Sequence, residues 1–231
     1  MEIGKKIITP ISWDAVFDNK AFQRDLEELS LPDYIQNCRW FAGKSSTIKH
    51  IRIQHHLKIN DKTNLFYILI LEVQFKEAFS QQYLLPLALV PEQEESAYAL
   101  LPYICRIETA EIEGVLYDAL YIPLFRELLF DYLIKNKSIN PGYGVIQFER
   151  ADAFQVSSKS KKTSEILKAE QSNTSIVYND HYFFKWFRRV FPESNPDLEI
   201  SRFLNLNQFP YTAQYLGGIS WLRPDKSPIS L

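Results

Sequence analysis

Three things are scarce in this sequence, and each scarcity excludes a class of function. There are two cysteines, Cys38 and Cys105, far apart and in no CxxC or metal-type spacing. A disulfide framework and a cysteine-held zinc are therefore not expected, and a reducing compartment is the simplest setting. Charge of one sign is also lacking, with 26 basic residues against 28 acidic ones and a net charge of −2. That balance leaves no broad basic face for nucleic acid. Long apolar runs are missing as well: none approaches the roughly 18 residues of a membrane span, and no charged-then-apolar leader opens the sequence. The expectation is a soluble, cytoplasmic protein with neither membrane nor nucleic acid as partner.

Aromatic residues are abundant, with 16 Phe, 13 Tyr and 4 Trp in 231 residues, enough material for one large core or two small ones. Ser12 is placed to cap a helix over Trp13–Phe17, and Phe22, Leu26 and Leu29 mark one face of a second helix from Lys20 to Leu29. Ser30-Leu31-Pro32-Asp33 has the spacing of a capping box with an early proline, which predicts a third helix through Cys38, ended by Gly43. From Ile48 the period changes to two. Ile51, Ile53, Leu57 and Ile59 alternate with Arg52, Gln54 and Lys58, predicting a strand with one wet face. Within it, the neighbours His55 and His56 must point to opposite faces, one half-buried and one exposed, so they cannot share an ion. Asn60–Asn64 reads as a turn, Leu65–Phe75 and Gln82–Val90 as strands, and Pro91–Glu95 as an acidic loop. Ile104–Thr109 and Val115–Asp118 read as a hairpin turning at Glu113-Gly114. An amphipathic helix follows over Pro123–Asn136. The first part thus reads as α+β, a mainly antiparallel sheet with helices to one side.

Asn140–Gly144 is a turn cluster and the natural boundary between residues 1–138 and 139–231. Val145–Phe148 follows as a short strand, and the basic stretch Ser157–Ser164 as a solvated linker. Thr174–Tyr178 and His181–Phe187 form two strands around Asn179-Asp180, and Asn195-Pro196 opens a helix to Leu206 as N-cap and N1. Lys185 lies inside the second of these strands and Glu199 in the first turns of the helix. A strand ammonium is costly to desolvate without an anion, and a lysine on a strand paired with a glutamate on the next helix is the arrangement by which kinases hold nucleotide phosphates. The bland alternative is an exposed lysine and a glutamate favoured by the helix dipole.

Three separated stretches add a resemblance. Leu31-Pro32-Asp33-Tyr34 leading to Arg39-Trp40-Phe41-Ala42-Gly43-Lys44 looks like the signature of the maltokinase N-terminal cap, and Tyr117–Tyr121 looks like its closing segment. Gln171–Ser175, Lys185–Arg189 and Asn195–Glu199 resemble the N-lobe of the same enzymes, which are often fused to trehalose synthase and related to aminoglycoside phosphotransferases. The resemblance implies a cap domain followed by a kinase-like N-lobe made of a sheet and an αC-type helix, without a C-lobe. It implies ATP and Mg²⁺ as cofactors of the full-length enzyme and maltose as acceptor, phosphorylated to maltose 1-phosphate. Lys185 would hold the α- and β-phosphates, and Glu199 would orient Lys185. Ser172, Asn173, Thr174 and Ser175 would cover the phosphates, although no GxGxxG stands there. No catalytic residue and no metal ligand is assigned, because after Glu199 there is no histidine and the only aspartate is Asp225. The chain alone is therefore expected to be inactive, a kinase fragment. Two alternatives stand beside this: an interaction module docking on trehalose synthase or a separate C-lobe, and part of another aminoglycoside phosphotransferase-like kinase. Self-association through an open edge or uncovered face is a further expectation.

Overall fold

The chain enters through β1 (Lys6–Ile8) and a 3-10 turn over Trp13–Asp18, then runs helically from Lys20 to Asn37. The structure, a computed structural model, describes residues 6–156, 163–167, 172–191, 195–223 and 228–230. The second and third expected helices are one helical run: α1 (Lys20–Asp25), a wide π-type turn at Leu26–Ser30, and α2 (Leu31–Asn37). Ser30 makes no capping bond. The helical start is instead capped by Asn19, whose Oδ1 accepts from the N–H of Ala21 (2.8 Å) and Phe22 (3.1 Å). Pro32 explains the wide turn: it brings no N–H and its ring crowds the carbonyl four residues back, so the helix loosens there without starting anew.

A seven-stranded sheet follows. It contains β2 (Ile48–Asn60), β3 (Leu65–Phe75), β4 (Gln81–Pro91), β5 (Tyr103–Glu108) and β6 (Glu113–Asp118) in the order β1-β5-β6-β4-β3-β2, antiparallel except where β1 joins β5, and its seventh strand is the short Arg189–Val190 segment, which pairs with β4 off this path. The residues of the acidic loop form a 3-10 segment, Glu92–Tyr98, between β4 and β5. The hairpin between β5 and β6 turns at Thr109–Ile112, where the Thr109 N–H donates to the Ile112 carbonyl and the Ile112 N–H donates to Thr109 Oγ1, and not at Glu113-Gly114. Gly114 lies inside β6, where a Cβ would come within 2.2 Å of the Val90 carbonyl oxygen. Its scarcity of bulk serves strand approach, not a turn.

Helices cover both faces of this sheet, not one. Tyr67, Leu69, Leu71 and Val73 of β3 pack with Phe17, Phe22, Leu26, Leu31 and Ile35 of the N-terminal segment. On the opposite face, Phe66, Ile68 and Ile70 pack with Phe125, Leu128, Leu129 and Tyr132 of α3 (Pro123–Ile134). β2 contributes to both. Ile51 and Ile53 join the first cluster while Leu57 and Ile59 join the second, because an irregular register between Ile53 and His55 shifts the pleat by one residue. His56 accordingly stacks on Phe17, 5.5 Å between ring centres, and His55 on Tyr143 at 4.3 Å. The two imidazoles do face opposite ways, but both are half-buried.

The remaining strands are short. β7 (Ser138–Ile139), β8 (Val145–Arg150), β13 (Gly217–Leu222) and β14 (Pro228–Ser230) form one sheet. β9 (Ser164–Ile166), β10 (Asn173–Tyr178) and β11 (Tyr182–Phe187) form another. β12 (Arg189–Val190) then pairs with Tyr83 and Gln82 of β4, and α4 (Pro196–Leu206) follows. α3 is shared by everything: Phe125 contacts Phe66 of the large sheet and Trp186 of β11, Phe130 stacks on Tyr178, and Tyr132 meets Phe148 edge-on. Most of the basic linker expected at Ser157–Ser164 lies outside the described residues, as do Gln171 and Asp225.

Candidate functional site

β10 and β11 are joined by Asn179-Asp180, both at positive φ (52° and 59°), the backbone of the tight two-residue hairpin turn that the sequence predicts. The register sets two faces. Thr174, Ile176 and Tyr178 stand opposite Trp186, Phe184 and Tyr182 and point toward α3 and the core. Ser175 stands opposite Lys185 on the other face. Lys185 is about one-third exposed, and its Nζ lies 2.8 Å from Oδ2 of Asp197. The expected carboxylate, Glu199, is exposed and is not the one that meets it. Asn195 Oδ1 accepts from the Asp197 N–H at 2.9 Å and fixes the start of α4. Two residues further on, about 200° around the helix, Glu199 is carried away from the strand. The lysine–carboxylate pairing of strand and helix is present, with Asp197 as its acid.

The four residues expected to cover phosphates divide. Asn173, Thr174 and Ser175 are not loop but strand, in register with Phe187, Trp186 and Lys185 of β11. Thr174 Oγ1 accepts from Arg188 Nε at 2.9 Å, and the carbonyl of buried Ser175 accepts from the Leu167 N–H. Only Ser172 lies free of the ladder, exposed at the mouth of a cavity of about 370 Å³ that is otherwise lined by Arg39, Trp40, Phe41, Ala42 and Lys44.

At the centre of these elements is a residue that the pattern of Lys185 and Glu199 did not single out. Arg188 is completely buried, with Nη2 2.7 Å from Oδ2 of the equally buried Asp118. Its guanidinium lies 4.7 Å from the centre of the Trp40 ring, and its carbonyl accepts from the Leu84 N–H at 2.8 Å. Asp118 Oδ1 accepts from the Leu120 N–H at 3.1 Å, capping the 3-10 turn Ala119–Tyr121. The Tyr34 hydroxyl is a further partner of that carboxylate. Burial pushes the Asp118 carboxyl up, opposed by Arg188, and holds the Tyr34 hydroxyl well above its usual range. Burial also pushes the neighbouring Cys38 thiol up to about 12, so it is no nucleophile. The signal for this cluster was present in the sequence as two charges, Asp118 and Arg188, each inside an aromatic run.

Tyr34, the Arg39–Lys44 turn and the Asp118 turn thus converge on one buried ion pair, and they delimit the segment that the comparison picks out: residues 34–121 match the family model of the maltokinase N-terminal cap domain. This segment is similar to a maltokinase N-terminal cap domain. Both of its ends lie at the Asp118–Arg188 pair, Tyr34 as partner of the carboxylate and Tyr121 closing the turn that Asp118 caps. Gly43 does not end the helix, which stops at Asn37. A Cβ on it would come within 2.6 Å of the Phe41 and Phe75 rings, so it keeps the cap's turn tight. Residues 122–231, which contain Lys185 and α4, lie outside the match. Among the described residues no three His, Cys, Asp or Glu side chains gather as a metal site, and no helix is long and apolar enough to cross a membrane.

Proposed function

We propose that this chain is the cap and nucleotide-binding lobe of a cytoplasmic maltokinase, which moves the γ-phosphate of ATP to maltose and forms maltose 1-phosphate. The reading rests on the Lys185–Asp197 ion pair, 2.8 Å long, in a hairpin–helix unit packed against a maltokinase cap. An ammonium held by one carboxylate and still one-third exposed keeps donors for phosphate oxygens, while the acid fixes its direction. Ser172, ahead of β10, adds a hydroxyl on the approach to the same hairpin. Among the described residues no cluster of acidic side chains assembles ligands for Mg²⁺. The aspartate that positions the acceptor hydroxyl is assigned to a catalytic lobe beyond these elements. Isothermal titration with ATP tests the reading: binding weakened at least tenfold in Lys185→Ala supports it, and identical heats for both proteins remove Lys185 from it.

A second reading has its own observation. α4 buries none of its residues and exposes Ile200, Phe203 and Leu206. Such a face suits an interaction module that docks on a kinase catalytic lobe or on trehalose synthase without chemistry of its own. Pull-down with each of these, repeated with Phe203→Glu, separates the readings. Capture lost in the variant, with no ATP binding in the parent, favours the module.

A further inference from the structure

The cavity between the cap's Arg39–Lys44 turn and Ser172 is lined, among the described residues, by cationic, hydroxyl and apolar side chains. Two exposed cations, Arg39 and Lys44, and the Ser172 hydroxyl stand around it, and among the described residues no carboxylate lines it. Behind the wall, Trp40 Nε1 and Arg188 Nη1 are buried with no hydrogen-bond partner among the described residues. Buried donors without a partner are costly unless an acceptor arrives, and the two cations beside them favour one that carries negative charge. The frame is also fixed in advance. The Ala42 and Gly43 N–H groups are engaged by the Tyr83 hydroxyl, the Trp40 ring rests on the Arg188 guanidinium, and the close rings around Gly43 admit no other side chain. Arg39 and Lys44 are therefore carried at either end of a turn that does not need to reorganise, and a volume of about 370 Å³ is that of a small-ligand site.

We propose that this cavity is a phosphate-binding site in which the cap supplies two cations and the residue before β10 supplies the hydroxyl. A phosphate group meets all the requirements at once: its oxygens accept from guanidinium, ammonium and hydroxyl, and its charge matches the two cations. The site shares Ser172 with the nucleotide-binding reading and rests on that reading to this extent. Its cations are independent of Lys185. The cap is then more than a cover, since it forms one wall of the phosphate site.

The test uses the whole chain, with inorganic pyrophosphate, ATP and glucose 1-phosphate as probes in isothermal titration. Arg39→Gln/Lys44→Gln is the principal variant and Lys185→Ala its counterpart. Arg39 and Lys44 are exposed, so the double variant keeps its fold, which circular dichroism verifies. The expected result is pyrophosphate affinity lowered at least tenfold in the double variant and changed less than twofold in Lys185→Ala. ATP tighter than glucose 1-phosphate assigns the site to a nucleotide, and the reverse order to a sugar phosphate. Pyrophosphate bound equally by parent and double variant, or not bound by the parent, overturns the proposal. If ATP binding falls in Lys185→Ala alone and neither pyrophosphate nor glucose 1-phosphate binding falls in the double variant, the cavity proposal fails while the nucleotide reading stands. If ATP binding falls in the double variant alone, the cavity proposal stands and Lys185 leaves the nucleotide reading.

Discussion

Arg188 and Asp118 are a fully buried ion pair between the matched cap segment and the strands that follow it. Removing one member of such a pair leaves the other charge desolvated without a counterion, which costs about 3–5 kcal/mol, whereas replacing both by apolar residues costs much less. Arg188→Met and Asp118→Asn are each expected to lower the unfolding free energy by about that amount in urea titrations. The double change Arg188→Met/Asp118→Leu is expected to lie well below the sum of the two. Equal additivity would mean that the two side chains do not act as a unit. A second residue-scale effect is pH dependence. Burial lowers the pKa of both His55 and His56 from the ordinary 6.5. For a lowered histidine the unfolded chain binds the proton first, so stability is complete above about pH 6.5 and falls as pH drops from there through the lowered values. The urea midpoint is expected to be lower at pH 5.5 than at pH 7.5, with a smaller difference in His55→Gln/His56→Gln. At this scale the sequence made Lys185 conspicuous, because a cation in an aromatic strand needs an anion. It could not choose between Asp197 and Glu199, because helix spacing gives relative direction and not the phase at which a helix meets a strand. Arg188 was harder still, since its partner lies 70 residues away.

Elements whose period is uninterrupted were legible, and those broken by one residue were not. β3 and β4 follow their apolar pattern, and the Asn179-Asp180 and Asn195-Pro196 signals place the hairpin and α4 where they are found. The Ile51–Ile59 alternation reads as a single wet face, yet the irregularity at Ile53–His55 sends its two halves to opposite cores. Glycine misled twice, at Gly43 and Gly114, because close packing and turn formation draw on the same lack of a Cβ. Two predictions belong here. Gly114→Ala is expected to destabilise by about 1–3 kcal/mol, since the nearest atom is a backbone oxygen that cannot swing away. Asn195→Ala removes the acceptor for the Asp197 N–H and is expected to cost about 1 kcal/mol of stability. It is also expected to weaken ATP binding, because the cap fixes the turn from which Asp197 reaches Lys185. An Asn195→Ala protein with parental ATP affinity would separate the cap from the site.

Across the whole molecule, α3 is the common wall of the large sheet and of both small ones. Its Phe125 touches Phe66 on one side and Trp186 on the other, and Arg188 and β12 tie the hairpin's exit to β4. The turn cluster at Asn140–Gly144 gives the sequence a place to divide, but the apolar cluster runs continuously from β3 through α3 to β8, β10, β11 and β13. Sequence punctuation reports where the chain turns, while cooperativity follows shared buried surface, so the two need not coincide. The four tryptophans make the difference measurable. Trp13 and Trp40 lie in the core on the N-terminal side of the large sheet, and Trp186 and Trp221 in the core on the α3 side. If α3 couples the two faces, urea unfolding followed by tryptophan fluorescence and by far-ultraviolet circular dichroism gives one coincident transition. Phe125→Ala, which opens the shared wall at a cost of about 3–5 kcal/mol, shifts that transition as a whole. Single-tryptophan proteins retaining Trp13 or Trp221 then report the same midpoint. Separate midpoints, with only the Trp221 signal moved by Phe125→Ala, would show that the small sheets unfold without the cap and that α3 belongs to them alone.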